Sequence, residues 1–284
     1  MHFTKMHGLG NDYLYVFGEV PENIKDLSIK MSDRHFGAGS DGMIYISKSD
    51  IADFKMRIFN ADGSEAKMCG NGIRCVGKYV YDKGYTDKTK LKVETLSGIK
   101  KLTLKVMGSC VDSVSVDMGQ GVLQDNNANI SFDINAFPAN CIADDLSIKT
   151  DDKNITFNAM NVSMGNPHTV IFTEDADTIP LTVYGPAIEH HELFPDGVNV
   201  EFVEVISRNE IRMRVWERGS GITMACGTGA CASAFASVKK NFCDYDTPIK
   251  VILDGGVLTI TISEDDTVKM QGSATTVYEG EVKL

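Results

Sequence analysis

Features that define several large classes of protein are missing from this sequence. Its 284 residues contain 28 Lys and Arg against 39 Asp and Glu, a net charge of −11. We therefore expect no nucleic-acid partner, because phosphate binding needs a basic surface. No apolar run approaches the ~18–20 residues that a membrane helix needs. Residues 1–5 also lack the charged-then-apolar pattern of a signal peptide. We expect a cytoplasmic protein with no membrane partner.

The seven cysteines do not form the pattern of a disulfide scaffold or a zinc site. Their number is odd and the chain is long, which disfavours a secreted disulfide framework. Neither close pair, Cys69/Cys75 or Cys226/Cys231, has C-x-x-C spacing. A thiol redox or metal-binding protein thus remains a weak alternative, and we predict no metal. We interpret five cysteines as small buried apolar residues, namely Cys75, Cys110, Cys141, Cys231 and Cys243.

What the sequence does contain is an internal duplication. The segment Met56–Gly72 matches Met213–Gly229 without a gap, since both 213 − 56 and 226 − 69 equal 157. A looser match sets Gly10–Tyr13 against Gly165–His168, where 166 − 11 equals 155. The rare residue Cys and both glycines of C-G-x-G fall in register. Self-similarity at this period indicates two related domains, because solenoid repeats span only ~20–50 residues.

The local patterns predict an α+β fold with two pseudo-symmetric domains. In each half an alternating strand, 54–59 or 211–216, leads through a Gly/Ser/Asp loop to C-G-x-G and then a helix. We expect each domain to be a mostly antiparallel β-sheet or barrel wrapped around that central helix. The predicted helices are 21–34, 70–83, 186–193 and 227–240. The predicted domains are 1–121 with about 272–284, and 122–271, with the polar stretch 120–129 at the boundary.

The segment Gly37–Gly42 fits G-x-G-x-x-G literally but does not indicate a dinucleotide site. That site needs a strand before the glycines and a helix after them. Here a helical stretch precedes the segment and the strand-like residues 43–46 follow it. We interpret it as a loop and predict no nicotinamide cofactor.

Cys69 and Cys226 each directly precede a glycine that opens a predicted helix. A helix N-terminus presents free N–H groups and a partial positive charge. Such a setting can lower a thiol pKa from ~8.5 to as little as ~3.5–7.5. If the halves face each other, one thiol stands on each side of a ligand. That arrangement suits inversion of a Cα centre, which needs a base on one face and an acid on the other. The sequence shows no recognisable pyridoxal site, and the two helix N-termini could stabilise the carbanion.

Six further motifs carry a resemblance to a known family. They are His7–Asp12, Asn60–Ser64, Met68–Arg74, Ser163–His168, Glu217–Gly219 and Ala225–Cys231, and the closing stretch 272–280 adds to them. In residues and in order they resemble the diaminopimelate epimerases, over nearly the whole chain. The resemblance implies an isomerase of lysine and peptidoglycan precursor biosynthesis that needs no cofactor, and a homodimer. It also implies that the last dozen or so residues return to the N-terminal domain.

The resemblance also assigns roles to site residues. It implies that Cys69 and Cys226 are the acid/base pair and that His168 and Glu217 tune the thiols. Backbone N–H groups would hold the reacting carboxylate, and Asn11 with the backbone near Glu217 would hold the reacting ammonium. Further side chains would bind the distal amino-acid end. The residues that would hold the reacting carboxylate are Gly70, Asn71, Gly227 and Thr228. The residues that would bind the distal end are Asn60, Asn166, Asn199 and Arg218.

One position departs from the family, and related functions remain as alternatives. Gly42 stands where some members carry a substrate-binding glutamine, so that contact would be absent here or replaced by water or Asp41. A proline or hydroxyproline racemase would also use paired cysteines. Its substrate has no second amino-acid end, so the polar side chains of Asn60, Asn199 and Arg218 favour diaminopimelate. A non-catalytic relative would be expected to lack one of the two cysteines, and both are present.

Overall fold

The protein has an α+β fold, as the sequence predicts, and its strands far outnumber its helices. The structure, a computed structural model, describes residues 1–133, 149–150 and 154–283. It divides into two compact units, Met1–Asp117 with Gln271–Leu284, and Met118–Met270.

Four helices and nineteen strands lie within the described residues. The helices are α1 (Ile24–Ser32), α2 (Gly70–Asp82), α3 (Leu181–Glu189) and α4 (Gly227–Lys239). The strands are β1 (His2–Gly8), β2 (Asn11–Phe17), β3 (Gly42–Ser47), β4 (Phe54–Asn60), β5 (Glu65–Ala66), β6 (Lys90–Thr95), β7 (Gly98–Met107), β8 (Cys110–Gln120), β9 (Val122–Asp133), β10 (Lys149–Thr150), β11 (Asn154–Ser163), β12 (Pro167–Thr173), β13 (Asn199–Ser207), β14 (Glu210–Glu217), β15 (Gly221–Ile222), β16 (Ile249–Leu253), β17 (Gly256–Ile262), β18 (Thr267–Ser273) and β19 (Thr275–Glu281).

The two units repeat one order of elements and one pattern of strand pairing. In the first unit β2 pairs parallel with β3, β3 antiparallel with β4, β4 parallel with β6, and β6 antiparallel with β7. In the second unit β12, β13, β14, β16 and β17 repeat these four pairings with the same directions. The register agrees with the offset of 157, since Ile44 lies opposite Ile58, and Glu201 opposite Val215. The predicted pseudo-symmetry is confirmed.

Helix α2 lies against the sheet of the first unit at the position predicted from the sequence. Cys69 is its N-cap, and the chain leaves the helix through Gly84, whose φ of 74° favours glycine. Gly77 allows close packing, because a Cβ there would lie 2.9 Å from the side chains of Leu102 and Leu104. The helix is therefore held closely against strand β7, which fixes the position of its N-terminus.

Helix α4 occupies the equivalent place in the second unit. Every residue from Gly229 to Val238 is buried, as its small apolar sequence predicts. Cys226 is its N-cap, again with extended backbone angles. The outer helices α1 and α3 cover other apolar surfaces of their sheets. Each unit thus positions one cysteine at the start of its central helix.

The sequence-based boundaries of α3 were wrong. The prediction began the helix at Pro186, since proline favours the first turn. The observed helix begins five residues earlier, where the N–H groups of Val183 and Tyr184 donate to the carbonyl of Pro180. Pro186 lies inside it, where a proline removes one helical hydrogen bond and its ring crowds the carbonyl of residue i−4. Burial of one apolar face outweighs that loss, and the buried residues at helical spacing are Leu181, Tyr184 and Ile188.

The sequence-based assignment also missed strands β9, β11 and β19. The polar stretch 120–129, assigned to the domain boundary, runs largely in β9, which pairs antiparallel with β11. Strand pairing uses main-chain groups, so polar composition does not prevent it. Strand β19 pairs antiparallel with β1, which places residues 275–281 in the first unit.

Candidate active site

The sulfur of Cys69 lies at the N-terminus of helix α2. Its Sγ accepts a hydrogen bond from the N–H of Gly72 at 3.3 Å. The first N–H groups of a helix have no partner within the helix, and they carry partial positive charge. Gly70 and Asn71 supply two of these groups beside the sulfur. The site therefore suits both a thiolate and a bound carboxylate.

Asn11 contacts Cys69, and Asp41 fixes its orientation. The Cys69 thiol donates to Asn11 Oδ1 at 3.3 Å, while Asn11 Nδ2 donates to Asp41 Oδ2 at 2.7 Å. Asp41 also accepts from the N–H of Asp12 at 3.1 Å and from Arg34 Nη2 at 2.9 Å. From the sequence, Asp41 was predicted only as a possible replacement for the family glutamine. Its position shows a different use, because it turns the amide oxygen of Asn11 towards the sulfur.

Asn60 lies at the end of β4, the strand that leads towards Cys69. Its Nδ2 donates to Ser64 Oγ at 3.0 Å, and its backbone N–H donates to the carbonyl of Ser64 at 2.8 Å. These bonds close the turn after β4, so Asn60 is held in a fixed geometry. Its predicted contact with the distal end of the substrate stays a prediction.

The backbone at Gly42 has no room for a side chain. Gly42 pairs with Asn60 and has a φ of 155°. A Cβ there would lie 2.2 Å from the carbonyl oxygen of Phe59 and 2.9 Å from Tyr13. A glutamine would need a different backbone at this point of β3. Glycine in place of the family glutamine at position 42 therefore goes with a different backbone in β3, and not only with the loss of one substrate contact.

Introducing the family glutamine is expected to destabilise the protein. We expect Gly42→Gln to cost at least about 1–3 kcal/mol, the usual cost of overpacking, because the new Cβ meets the Phe59 carbonyl. Gly18→Gln is the matched control, since Gly18 has a φ of 153° but a Cβ there would meet no described atom within 4 Å. Thermal unfolding of both variants separates crowding from backbone strain. Equal losses of stability at the two positions would contradict this account.

Cys226 repeats the arrangement of Cys69 in the second unit. Its Sγ accepts from the N–H of Gly229 at 3.3 Å and lies 3.6 Å from Thr228 Oγ1. Gly227 and Thr228 supply the first N–H groups of helix α4. The Cys226 side chain is buried, whereas Cys69 is partly exposed.

A line of polar side chains leads from Cys226 into the core of the second unit. Asn166 Nδ2 donates to Thr228 Oγ1 at 3.3 Å, and Asn166 Oδ1 lies 3.1 Å from His168 Nε2. His168 Nδ1 lies 2.6 Å from Glu201 Oε1, and both side chains are fully buried. Asn166, His168 and Thr228 were predicted as site residues, and they lie together. Glu201 was missed, because residues 200–205 carry two glutamates, Glu201 and Glu204, and the sequence does not show that Glu201 is the buried one.

The environment of Cys226 corrects one expectation from the sequence. Burial raises the pKa of the Cys226 thiol well above its ordinary value, and the negative charges of Glu217 and Glu201 raise it further. Hydrogen bonds from Thr228 and from the N–H of Gly229 act in the opposite direction. The helix N-terminus alone favours a thiolate, but here desolvation and two carboxylates outweigh it. This environment therefore favours the thiol form of Cys226.

Glu217 ends β14, and the loop that follows begins with Arg218 and is held by two polar side chains. Asn199 donates through Nδ2 to the carbonyl of Pro167 at 2.9 Å, and its Oδ1 accepts from the N–H of Arg218 at 3.0 Å. Glu189 accepts from the N–H of Gly219 at 2.8 Å. Glu217 accepts from Thr223 Oγ1. Asn199 and Glu189 therefore fix the backbone of this loop at Arg218 and Gly219.

Most of the remaining cysteines agree with the sequence-based interpretation. Cys75, Cys231 and Cys243 are buried, and burial raises the pKa of both Cys75 and Cys243 to about 11. The prediction for Cys110 was wrong, because this residue begins β8 after the β7–β8 turn and is exposed. Cys141 lies outside the described residues.

Two further features concern metals and membranes. In the part of the chain that the structure describes, no group of three or more His, Cys, Asp or Glu side chains could hold a metal ion. None of the described helices is long and apolar enough to cross a membrane.

Two proteins with similar sequences are diaminopimelate epimerases. The chain is 50% identical over 287 residues to a diaminopimelate epimerase of Acetivibrio thermocellus, with 100% of this chain and 99% of the relative covered. It is 51% identical over 288 residues to one from Agathobacter rectalis, with both chains fully covered. In both cases the similarity extends over both halves of the chain.

Solved structures with the same fold are more distant. A Bacillus anthracis protein of the phenazine biosynthesis PhzF family has a TM-score of 0.76 at 17% identity, covering 100% of this chain and 99% of that chain. A hydroxyproline epimerase from Agrobacterium vitis has a TM-score of 0.67 at 16% identity, covering 99% and 90%. At such identities the likeness shows the fold alone. The family profile described as Diaminopimelate epimerase matches residues 3–123 and 160–277. The chain therefore belongs to the diaminopimelate epimerase family.

Proposed function

We propose that this protein interconverts LL- and meso-diaminopimelate, with Cys69 and Cys226 acting from opposite faces of the reacting Cα. The observation that carries the proposal is that each unit places a cysteine as the N-cap of its central helix, at equivalent positions. Membership of the diaminopimelate epimerase family supports the substrate. The reaction belongs to the route to lysine and peptidoglycan precursors.

In the proposed mechanism two half-sites share one substrate. One cysteine is a thiolate and removes the α-proton, so that its sulfur becomes a thiol. The other cysteine is a thiol and gives its proton to the opposite face of Cα, so that its sulfur becomes a thiolate. The proton count is conserved, and the pair ends in the inverse state. Either direction of epimerisation uses the same two groups.

The carbanion formed in between needs stabilisation, and the helix starts supply it. Backbone N–H groups of Gly70, Asn71, Gly227 and Thr228 belong to the first turns of α2 and α4, where helical partners are lacking. We propose that they bind the α-carboxylate, which takes up negative charge as the proton leaves. This role needs no pyridoxal, nicotinamide or metal.

The polar side chains around the two cysteines account for the rest of the substrate. We propose that Asn11 and the backbone near Glu217 bind the reacting ammonium, and that Asn60, Asn166, Asn199 and Arg218 bind the distal amino-acid end. His168 and Glu217 adjust the ionisation of the thiols. The two halves are proposed as homologous domains, and the protein as a cytoplasmic homodimer. Light scattering of the purified protein tests the dimer.

The function is tested by incubating the protein with LL-diaminopimelate and no added cofactor. We expect the meso isomer to form and the two isomers to reach a mixture. L-proline and trans-4-hydroxy-L-proline serve as control substrates, since a related racemase would act on them instead. The EDTA-dialysed enzyme should keep its activity. Loss of activity that a metal restores would refute the cofactor-independent reaction.

A further inference from the structure

Glu201 is a buried carboxylate to which the mechanism above gives no role. Its Oε1 lies 2.6 Å from His168 Nδ1, whereas its Oε2 is buried and has no hydrogen-bond partner among the described residues. An ionised carboxylate with one bare oxygen is costly in such surroundings. A proton shared with the imidazole reduces that cost, because the pair then has no net charge. Burial also raises the pKa of Glu201, which the neighbouring imidazole opposes.

The contacts of His168 fix the direction of the hydrogen bonds that lead to Cys226. An amide oxygen only accepts, so the contact of Asn166 Oδ1 with His168 Nε2 requires a hydrogen on Nε2. Asn166 Nδ2 then donates to Thr228 Oγ1. Because that oxygen accepts, the Thr228 hydroxyl hydrogen is available for the Cys226 sulfur, 3.6 Å away. With the Thr228 hydroxyl as donor to the sulfur, every donor in this series of hydrogen bonds points towards the thiol.

The shared proton is what maintains this direction. With a hydrogen on Nε2, the proton between Nδ1 and Oε1 belongs either to an imidazolium beside a carboxylate or to a neutral imidazole beside a carboxyl group. Both forms are neutral overall. Loss of that proton leaves one negative charge behind the first turn of α4. That charge opposes ionisation of Cys226 and adds to the charge of Glu217 on β14.

The first unit carries different residues at the positions equivalent to this pair. Subtracting the offset of 157 from Glu201 gives Ile44, and subtracting 155 from His168 gives Tyr13. The packing is equivalent, since a Cβ at Gly229 would lie 2.7 Å from Glu201 Oε1 and one at Gly72 would lie 2.7 Å from Ile44 Cδ1. The duplicated fold thus holds an apolar side chain behind Cys69 and a buried acid behind Cys226.

We propose that Glu201 is a positioning residue of the Cys226 half-site, which shares a proton with His168 and so fixes the hydrogen-bond chain that ends on the Cys226 sulfur. The role of Glu201 in catalysis rests on the proposed function, but the series of hydrogen bonds from Glu201 to Cys226 can be tested without substrate. The titratable groups that face it are His168 on β12, Glu217 on β14 and Cys226 at the start of α4. We therefore expect the thiols of Cys69 and Cys226 to respond differently to pH.

The test follows alkylation of each cysteine by iodoacetamide across a pH series, with peptide mapping. In the wild type the pair becomes negative when it loses the shared proton at rising pH, and that charge opposes ionisation of Cys226. In Glu201→Gln no such charge forms, so Cys226 is expected to ionise at lower pH than in the wild type. A shift of one pH unit corresponds to about a tenfold faster reaction at a fixed pH on the rising part of the curve. Glu204→Gln, on the same strand, is the matched control and should leave the curve unchanged. Cys69, in the other unit, should keep its wild-type curve in every sample.

Buried Cys231 reports whether a variant remains folded, because it lies in α4 and reacts only if the helix loosens. If it reacts in Glu201→Gln, then Glu201→Ile replaces that variant, since isoleucine already fills the equivalent place against Gly72. The same downward shift is expected. An unchanged Cys226 curve with Cys231 unreactive overturns the proposal, even where the epimerase assay succeeds.

A second measurement, on the wild type, does not depend on the Glu201 variants. In protein labelled with ¹⁵N-histidine, the ring signals of His168 are assigned by their absence from His168→Gln. We expect the signals of a ring that carries a hydrogen on Nε2. A His168 ring without a hydrogen on Nε2 overturns the proposed direction of the chain.

Discussion

Replacing either Cys69 or Cys226 by alanine is expected to lower epimerase turnover by at least about 10²- to 10⁴-fold, the contribution of a positioned general acid or base. Each turnover needs both sulfurs, one to remove the proton and one to supply it. Loss of either group therefore stops inversion in both directions. Turnover of LL-diaminopimelate by each purified variant measures the effect.

The double variant sharpens this test. Because the two cysteines act as a unit, Cys69→Ala/Cys226→Ala should be scarcely slower than either single variant. Cys110→Ala and Cys243→Ala are matched controls, one at an exposed and one at a buried cysteine, and both should retain activity. Near-normal turnover in either active-site variant would refute the two-base scheme.

The pH dependence of kcat/KM is expected to be bell-shaped, with a tenfold loss per pH unit on each outer limb. Activity needs one thiolate and one thiol, so it falls when both are protonated and again when both are ionised. Burial and nearby carboxylates raise the pKa of Cys226, so its proton is retained above the ordinary thiol range. The alkaline limb should therefore lie above ~8.5, the value for a free thiol.

Glu217 provides a directional check on that limb. Glu217→Gln removes a negative charge that raises the Cys226 pKa, so the alkaline limb should move to lower pH. Glu210→Gln is the control, because Glu210 lies at the opposite end of the same strand. The position of the limb is the readout, and it is independent of the fall in activity that loss of a substrate contact causes. A flat profile, or a limb that Glu217→Gln does not move, would count against the shared-proton scheme.

The sequence predicted the parts of the fold that leave a strong local pattern. The two central helices were located closely, because each begins at the first glycine of C-G-x-G and ends near Lys83 or Lys240 as predicted. The duplication predicted the equivalence of the halves, and the repeated strand pairings confirm it. The start of α3 was missed, because Pro186 suggested a boundary that burial of an apolar face overrides.

The electrostatics of the site depend on contacts between distant residues, which no local pattern contains. Glu201 lies 33 residues from His168 in the chain and 2.6 Å from it in the fold. Asp41 likewise reaches Asn11 across 30 residues. The pKa of Cys226 is raised by burial and by the charges of Glu217 and Glu201. A helix start read from the sequence suggests only that this pKa is lowered. Most site residues could thus be predicted from the sequence, whereas the contacts between them that set the pKa of Cys226 could not.

The central claim, that two thiols act from opposite faces, is tested most directly by one turnover experiment in heavy water. The thiol that donates to Cα carries a hydrogen from solvent, while the other sulfur holds the hydrogen that left the substrate. Mass spectrometry of both isomers during initial turnover measures where deuterium enters. We predict deuterium at the inverted centre of every product molecule from the first turnover, and a recovered starting isomer that is still largely protiated. Substantial retention of the original hydrogen in the inverted product would mean a single base, and would contradict the paired roles of Cys69 and Cys226.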